Sequence, residues 1–150
     1  MSQALTKLSS LVPRLQAIKK ANGYNTDAGT TVLFGPIPRS DADALPIIRL
    51  HWPSADPESA LVNVPHNKVR VNFVVEGEGA CAPVDFLTSC DAIASDIKRA
   101  VFGDIERNLQ GLAMDVRFDG QEFTVPDPGT AAYLVRIAGS FTFVDHFNAP

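Results

Sequence analysis

Two segments in the middle of the chain carry different hydrophobic periods, and together they constrain the fold more than any other feature. In residues 68–76 apolar and polar side chains alternate, which predicts a β-strand with one buried face. Its apolar residues are Val69, Val71, Phe73 and Val75. From Pro83 to Gly103 the apolar positions recur every three or four residues, which predicts an amphipathic helix. A chain that places such a strand directly before such a helix favours a helix packed on a sheet.

The remaining segments extend this pattern. The central helix is predicted to bury a stripe formed by Phe86, Leu87, Cys90, Ile93, Ala94, Ile97 and Val101. A second stripe at the N-terminus is formed by Leu5, Leu8, Leu11, Leu15 and Ile18. Pro13 interrupts it, so this helix either kinks there or begins at Ser9 or Ser10 with Pro13 in its first turn.

Strands are predicted at residues 31–35, 45–52 and 132–144, and a hairpin surrounds Asp119-Gly120, a dipeptide typical of two-residue turns. The hairpin register places Val116 opposite Phe123 and pairs the opposite charges of Arg117 and Glu122. Residues 36–44 and 53–67 read as irregular, the second as a loop long enough to be functional. Gly77-Glu78-Gly79 reads as a strand-to-helix turn.

These elements predict an α+β fold in one domain, residues 1–150. The sheet is expected to be mostly antiparallel or mixed, with about five or six strands and two main helices packed on one face. A length of 150 residues and a hydrophobic fraction of 45% suit one core of this kind.

Composition argues against several classes of function. A net charge of -4 disfavours direct nucleic-acid recognition, which needs a basic face. No apolar run is long enough to predict a membrane span, and no signal-peptide pattern opens the chain. Two cysteines give no disulfide framework, so a reducing cytoplasm is the expected compartment.

The residues that could carry catalysis do not form a local constellation. His51, His66 and His146 share no metal-ligand spacing, so no metal, cofactor or catalytic site is predicted. Cys90 is expected to be a buried thiol. Cys81 lies just before a helix N-terminus, where a thiol nucleophile is conceivable, although a structural cysteine is favoured.

Some residues point instead to self-association or partner binding. The long last strand and the segment after it carry Phe141, Phe143 and Phe147, which indicate either edge pairing with a partner or packing in the core. The charges of Arg117 and Glu122 are further candidate contacts, and their reversal is expected to leave folding nearly intact.

Several segments resemble a known family over nearly the whole chain. They are the helix end Ala21-Asn22-Gly23-Tyr24, the following Thr26-Asp27-Ala28-Gly29, the strand end Val75-Glu76-Gly77 and the helix at residues 93–102. Together with a closing hairpin and long strand, they resemble the tail terminator or tail-completion proteins of long-tailed bacteriophages.

The resemblance implies a non-enzymatic virion subunit without a cofactor. Such a protein forms a homohexameric ring on the head-proximal end of the tail tube after assembly in the host cytoplasm. It contacts the major tail tube protein and a head-completion or neck protein, and it stops tail polymerisation. Alternatives are another neck or head-completion protein, a small ligand-binding module, or a thiol hydrolase.

Overall fold

The computed structural model describes residues 2–35, 44–58, 66–103, 115–124 and 132–146. It has an α+β fold, as predicted, with helices on one side of a five-stranded mixed sheet. The elements in chain order are α1 (Gln3–Ser9), α2 (Leu11–Gln16), β1 (Val32–Phe34), β2 (Ile47–Pro57), β3 (His66–Ala80), α3 (Phe86–Phe102), β4 (Asp115–Thr124) and β5 (Ala132–His146).

The spatial order of the strands is β1-β2-β3-β5-β4. Strands β1 and β2 run parallel, and every other neighbouring pair is antiparallel. The last strand of the chain, β5, therefore lies between β3 and β4. It pairs with β3 along the full length of both strands, from the pair His66 and His146 to the pair Ala80 and Ala132.

Alternate residues of each strand point into a core that the three helices share. On β3 these are the predicted residues Val71, Phe73 and Val75, which are fully buried. Side chains of α1, α2 and α3 meet them. The buried helical residues of this core are Leu8, Leu11, Leu15, Cys90, Ile93, Ala94, Ile97, Ala100 and Val101. We call this side of the sheet the helix-packed face and the opposite side the charged face.

The N-terminal stripe folds as two short helices separated at Ser10. Ser10 donates its hydroxyl to the carbonyl of Lys7 at 2.6 Å, and Pro13 lies in the first turn of α2. A proline is tolerated there because the first N–H groups of a helix have no intrahelical acceptor. Of the two alternatives, the structure has the helix that begins after Ser10 with Pro13 in its first turn, and a separate short helix, α1, precedes it.

The predicted hairpin at Asp119-Gly120 is wrong. Residues 115–124 form a single strand that pairs with β5 throughout, and Asp119 is an extra residue in a β-bulge between Phe118 and Gly120. Arg117 lies opposite Ser140 and Glu122 opposite Arg136, so these two charges do not face each other within the chain. The fifteen-residue β5 offers partners to the whole segment, whereas a hairpin would satisfy its backbone only locally.

Gly120 makes the bulge possible. Its φ of 156° lies outside the range that side chains with a Cβ readily adopt. The same dipeptide that typifies a hairpin turn therefore serves here as the irregular point of a continuous strand.

Two further boundaries differ from prediction. Of the segment 53–67 that was predicted to be irregular, residues 53–57 continue β2 past a second register shift and residues 66–67 begin β3, while residues 59–65, like residues 36–43, lie outside the described residues. Gly77-Glu78-Gly79 continues β3 instead of forming a turn. Gly77 lies where a Cβ would come within 2.7 Å of Ile93 Cδ1. The glycine is thus required by the close approach of α3 to the sheet, a reason unrelated to a turn.

Candidate assembly surface

The loop that follows α2 is fastened to α3 by one buried carboxylate. Asp96 is 1% exposed, and its two oxygens accept four hydrogen bonds, two from Asn25 and two from Thr26. The donors are the backbone N–H and the side chain of each residue, at 2.8–3.0 Å. The four donors satisfy the charge of a carboxylate that no water reaches, so the loop and the helix form one unit.

A second contact one turn along α3 holds the same loop. Arg99 donates to the carbonyl of Gly23 at 2.8 Å, and its guanidinium lies 4.4 Å from the ring centre of Tyr24. Gly23 has a φ of 79°, the left-handed conformation expected of a residue that follows a helical turn. Two segments that carry the family resemblance, residues 21–29 and 93–102, are therefore in direct contact.

The charged face carries a row of alternating charges across four strands. Arg49 on β2 lies opposite Glu76 on β3, and Glu76 lies opposite Arg136 on β5. Glu76 accepts from Arg49 Nε at 3.4 Å and pairs with Arg136 Nε at 3.2 Å. Arg136 in turn lies opposite Glu122 on β4. We call this set the charge row; its members are Arg49, Glu76, Arg136 and Glu122.

The two edges of the described sheet are β1 and β4, and each exposes a phenylalanine. Phe34 on β1 is 36% exposed and Phe118 on β4 is 47% exposed. The central residues of β4 are mostly exposed as well, and Arg117 there pairs only with its neighbour Asp115 among the described residues. Large apolar side chains at both edges of a sheet are candidates for contacts with other chains.

The beginning of α3 is another exposed apolar area. Val84, two residues before α3, is 88% exposed, and Leu87 in the first turn of α3 is 68% exposed. Leu87 was predicted to lie in the buried stripe and does not; in the first turn of α3 it is the neighbouring Phe86 that packs against the core. The rest of that stripe is buried or half-buried as expected.

Two clefts have distinct linings. An apolar groove of about 410 Å³ runs between α1 and the β1–β2 edge, lined by Leu5, Leu8, Phe34, Gly35, His51, Trp52 and Pro53. A smaller cleft of about 260 Å³ lies beside the loop fastened by Asp96, and Tyr133 contributes to its lining. Burial raises the pKa of Tyr133 to about 12, so its hydroxyl stays protonated well into the alkaline range.

The cysteines and histidines do not converge in the described part of the chain. No group of three or more His, Cys, Asp or Glu side chains able to hold a metal ion occurs among the described residues. Cys90 is buried, as predicted, and burial raises its pKa to about 11 with a further contribution from Cys81. A thiol with a raised pKa is a poor nucleophile.

The structure brings together one pair of histidines that the sequence does not. His66 and His146 are opposite each other in the β3–β5 register, although eighty positions of chain separate them. This is the far end of β3 from Cys81, so neither histidine is placed to activate that thiol.

The five residues predicted as partner contacts have different positions. Phe141 and Phe143 are 0% and 3% exposed and pack in the core, so a partner could reach them only by displacing that core. Phe147 lies outside the described residues. Arg117 and Glu122 are exposed on β4.

The sequence analysis did not identify Asp96 as an important residue. The signal that could have identified it is a charged side chain within an otherwise apolar helical stripe.

Comparisons with known proteins give no family assignment. No family model matches the chain. No curated protein is significantly similar to it either. Among the described residues, no helix has the length and apolar character needed to cross a membrane.

Proposed function

We propose that this chain is a structural subunit of a long-tailed bacteriophage that forms a homohexameric ring on the head-proximal end of the tail tube. There the ring would end the addition of tail subunits and offer a surface to the head-completion proteins. In this proposal the protein works by binding copies of itself and other virion proteins, without catalysis.

The observation that carries the proposal is the exposure of apolar side chains at opposite edges of the sheet. A closed ring requires every subunit to use two different surfaces, one for each neighbour. Phe34 at the β1 edge and Phe118 at the β4 edge lie at opposite edges of the sheet and have different surroundings. This arrangement suits a heterologous contact that repeats around a ring.

The resemblance to tail terminator proteins supplies the position of the ring in the virion. Two of the segments that carry it form the Asp96 and Arg99 contacts that join the N-terminal loop to α3. These residues stabilise the fold. The resemblance that they carry therefore supports a shared architecture. The contacts with tube and neck belong to surfaces that the resemblance does not specify.

The test is native mass spectrometry combined with negative-stain electron microscopy, over a concentration series, with and without purified tail tubes. A closed ring in the free protein, or a ring that forms on tube ends, is the expected result. Tube elongation in the presence of the protein should then stop. A chain that forms no ring under either condition and leaves elongation unchanged would contradict the proposal. A ring that ignores tubes and binds capsids would identify a head-completion protein instead.

A further inference from the structure

Strand β4 is an open edge of the described sheet. One side of β4 pairs with β5, and no described strand pairs with the other side. The side chain of Arg117 is 55% exposed and Phe118 is 47% exposed, so this edge is accessible to another chain. A ten-residue edge whose outer N–H and C=O groups pair with no described strand is a template for one more strand.

The charge row indicates which residue that strand should carry. The row alternates in sign from β2 to β5 and ends in Glu122 on β4, at the open edge. Glu122 makes no ion pair with any residue in the described ranges. A cation on the next strand would continue the alternation, because opposite charges on directly facing residues stabilise a strand pair.

Strand β4 itself carries such a cation at a suitable position. If Arg117 of a second copy lies opposite Glu122, then in an antiparallel pair Glu122 of the second copy lies opposite Arg117 of the first. The same register places Val116 opposite Phe123. The complementarity that predicted a hairpin within the chain is thus available between two chains whose β4 strands are continuous.

The bulge makes this register compatible with the faces of the sheet. Opposite residues of an antiparallel pair must point to the same face. Arg117 and Glu122 are five positions apart, and in a regular strand they would point to opposite faces. The extra residue Asp119 restores the match, so that both point to the charged face, while Val116 and Phe123 both point to the helix-packed face.

We propose that the free protein pairs with a second copy of itself along β4, antiparallel, with Arg117 of each copy opposite Glu122 of the other. The contact joins two five-stranded sheets into one and lengthens the charge row with an arginine at each end of the junction. It also covers the unpaired edge and both copies of Phe118.

This contact is distinct from the proposed ring contact. Its two-fold symmetry sets neighbouring copies in opposite directions, so neighbours in a ring whose subunits all point one way cannot use it. The pairing is a state of the free protein and has to open before the β4 edge enters a ring. The two proposals fail separately, because pairing is measured without tail tubes and ring formation is measured with them.

The first test is charge reversal followed by analytical ultracentrifugation in a concentration series. Arg117→Glu and Glu122→Arg should each weaken dimerisation about tenfold or more, since each dimer contains the pair twice. The double variant should recover it, because the opposite charges face each other again. Lys19→Glu and Asp91→Arg make the same charge changes at exposed positions elsewhere and should have no effect.

The second test locates the register by disulfide formation. Asp115 and Thr124 would face each other across the junction, and no residue would face its own copy. A mixture of Asp115→Cys and Thr124→Cys proteins, each also carrying Cys81→Ser, should therefore cross-link under mild oxidation, whereas neither protein alone should. A monomer at all concentrations, a dimer insensitive to both charge reversals, or equal cross-linking in the unmixed proteins would overturn the proposal.

Discussion

At the scale of single residues, Asp96 is the polar group on which the fold depends most. Its carboxylate is buried and accepts four hydrogen bonds from a loop seventy positions earlier in the chain. Hydrogen bonds to a buried charge are stronger than neutral ones, and a donor left without its acceptor is costly. One side chain therefore joins the N-terminal region to α3.

Replacing this carboxylate by an amide tests that conclusion. Asp96→Asn keeps the shape but turns one acceptor into an NH₂ group that faces donors of Asn25 or Thr26. We expect the free energy of unfolding to fall by about 2–3 kcal/mol in urea titrations. The control Asp91→Asn, at an exposed position of the same helix, should change it by less than about 0.5 kcal/mol. Equal values for the two variants would contradict the role of Asp96.

Cys90 gives the stability of the protein an alkaline limit. The pKa of its buried thiol is raised from 9.0 to about 11, so the folded state holds the proton more tightly than the unfolded state does. This contribution is complete below pH 9 and is lost as the pH rises towards 11. We expect the free energy of unfolding to fall by about 1 kcal/mol between pH 8 and pH 10 on this account.

The control for this pH dependence is Cys90→Ala, measured by urea unfolding at the same two pH values. The variant is less stable at pH 8 because it leaves a cavity, but its loss between pH 8 and pH 10 should be smaller than that of the wild type. Tyr133, whose pKa is raised from 10.0 to about 12, should add a further fall between about pH 10 and pH 12. An identical loss in both proteins would contradict the assignment to Cys90.

At the scale of elements, the distance between α3 and the sheet is set by Gly77. A methyl group at this position would meet Ile93 Cδ1 at 2.7 Å and Ile97 Cδ1 at 3.1 Å. Cores packed this closely accommodate an added carbon only by moving a side chain or the backbone. The position of α3 over β3 therefore depends on the absence of a side chain.

A double-mutant cycle tests this contact. Gly77→Ala should lower the free energy of unfolding by about 1–3 kcal/mol through overpacking. Ile93→Val removes the nearest methyl group and should cost about 1 kcal/mol alone. In combination the two should cost less than their sum, because the valine makes room for the alanine. Strict additivity in urea unfolding would show that the two positions do not compete for space.

The same elements show which parts of the structure were accessible from the sequence. The alternation in β3 and the helical period of α3 predicted both elements and the α+β class, because hydrophobic burial dominates there. The hairpin failed at Asp119-Gly120 because the local turn preference lost to pairing with β5, a partner that is distant in sequence. Asp96 and the His66–His146 pair depend on contacts between distant segments, which a local pattern does not encode.

At the scale of the whole molecule, the exposed start of α3 is surface available to a neighbouring subunit. Val84 and Leu87 bury little apolar surface on folding, since they are 88% and 68% exposed. Their burial in an interface would therefore stabilise an assembly. In the proposed ring, a contact at this site adds to those at the sheet edges.

Serine substitutions separate folding from assembly here. Val84→Ser and Leu87→Ser should each change the free energy of unfolding by less than about 0.5 kcal/mol. The double variant should form fewer rings with tail tubes in native mass spectrometry and negative-stain images. Ser95→Ala, an exposed position on the same helix, should leave both measurements unchanged. Undiminished ring formation in the double variant would exclude this surface from the interface.

The position of β5 in the sheet also has a consequence for biosynthesis. The central pair of the sheet, β3 and β5, joins residues that are up to eighty positions apart, and β4 has no partner until β5 is present. Contacts this distant in sequence slow folding because the intervening chain must be ordered first. On the ribosome, β3 can pair with β2 as soon as both have emerged, but its other edge stays open until β5 follows. The charges that alternate along β3 disfavour pairing of that open edge with another nascent chain, because charged side chains on an exposed strand edge oppose edge-to-edge association.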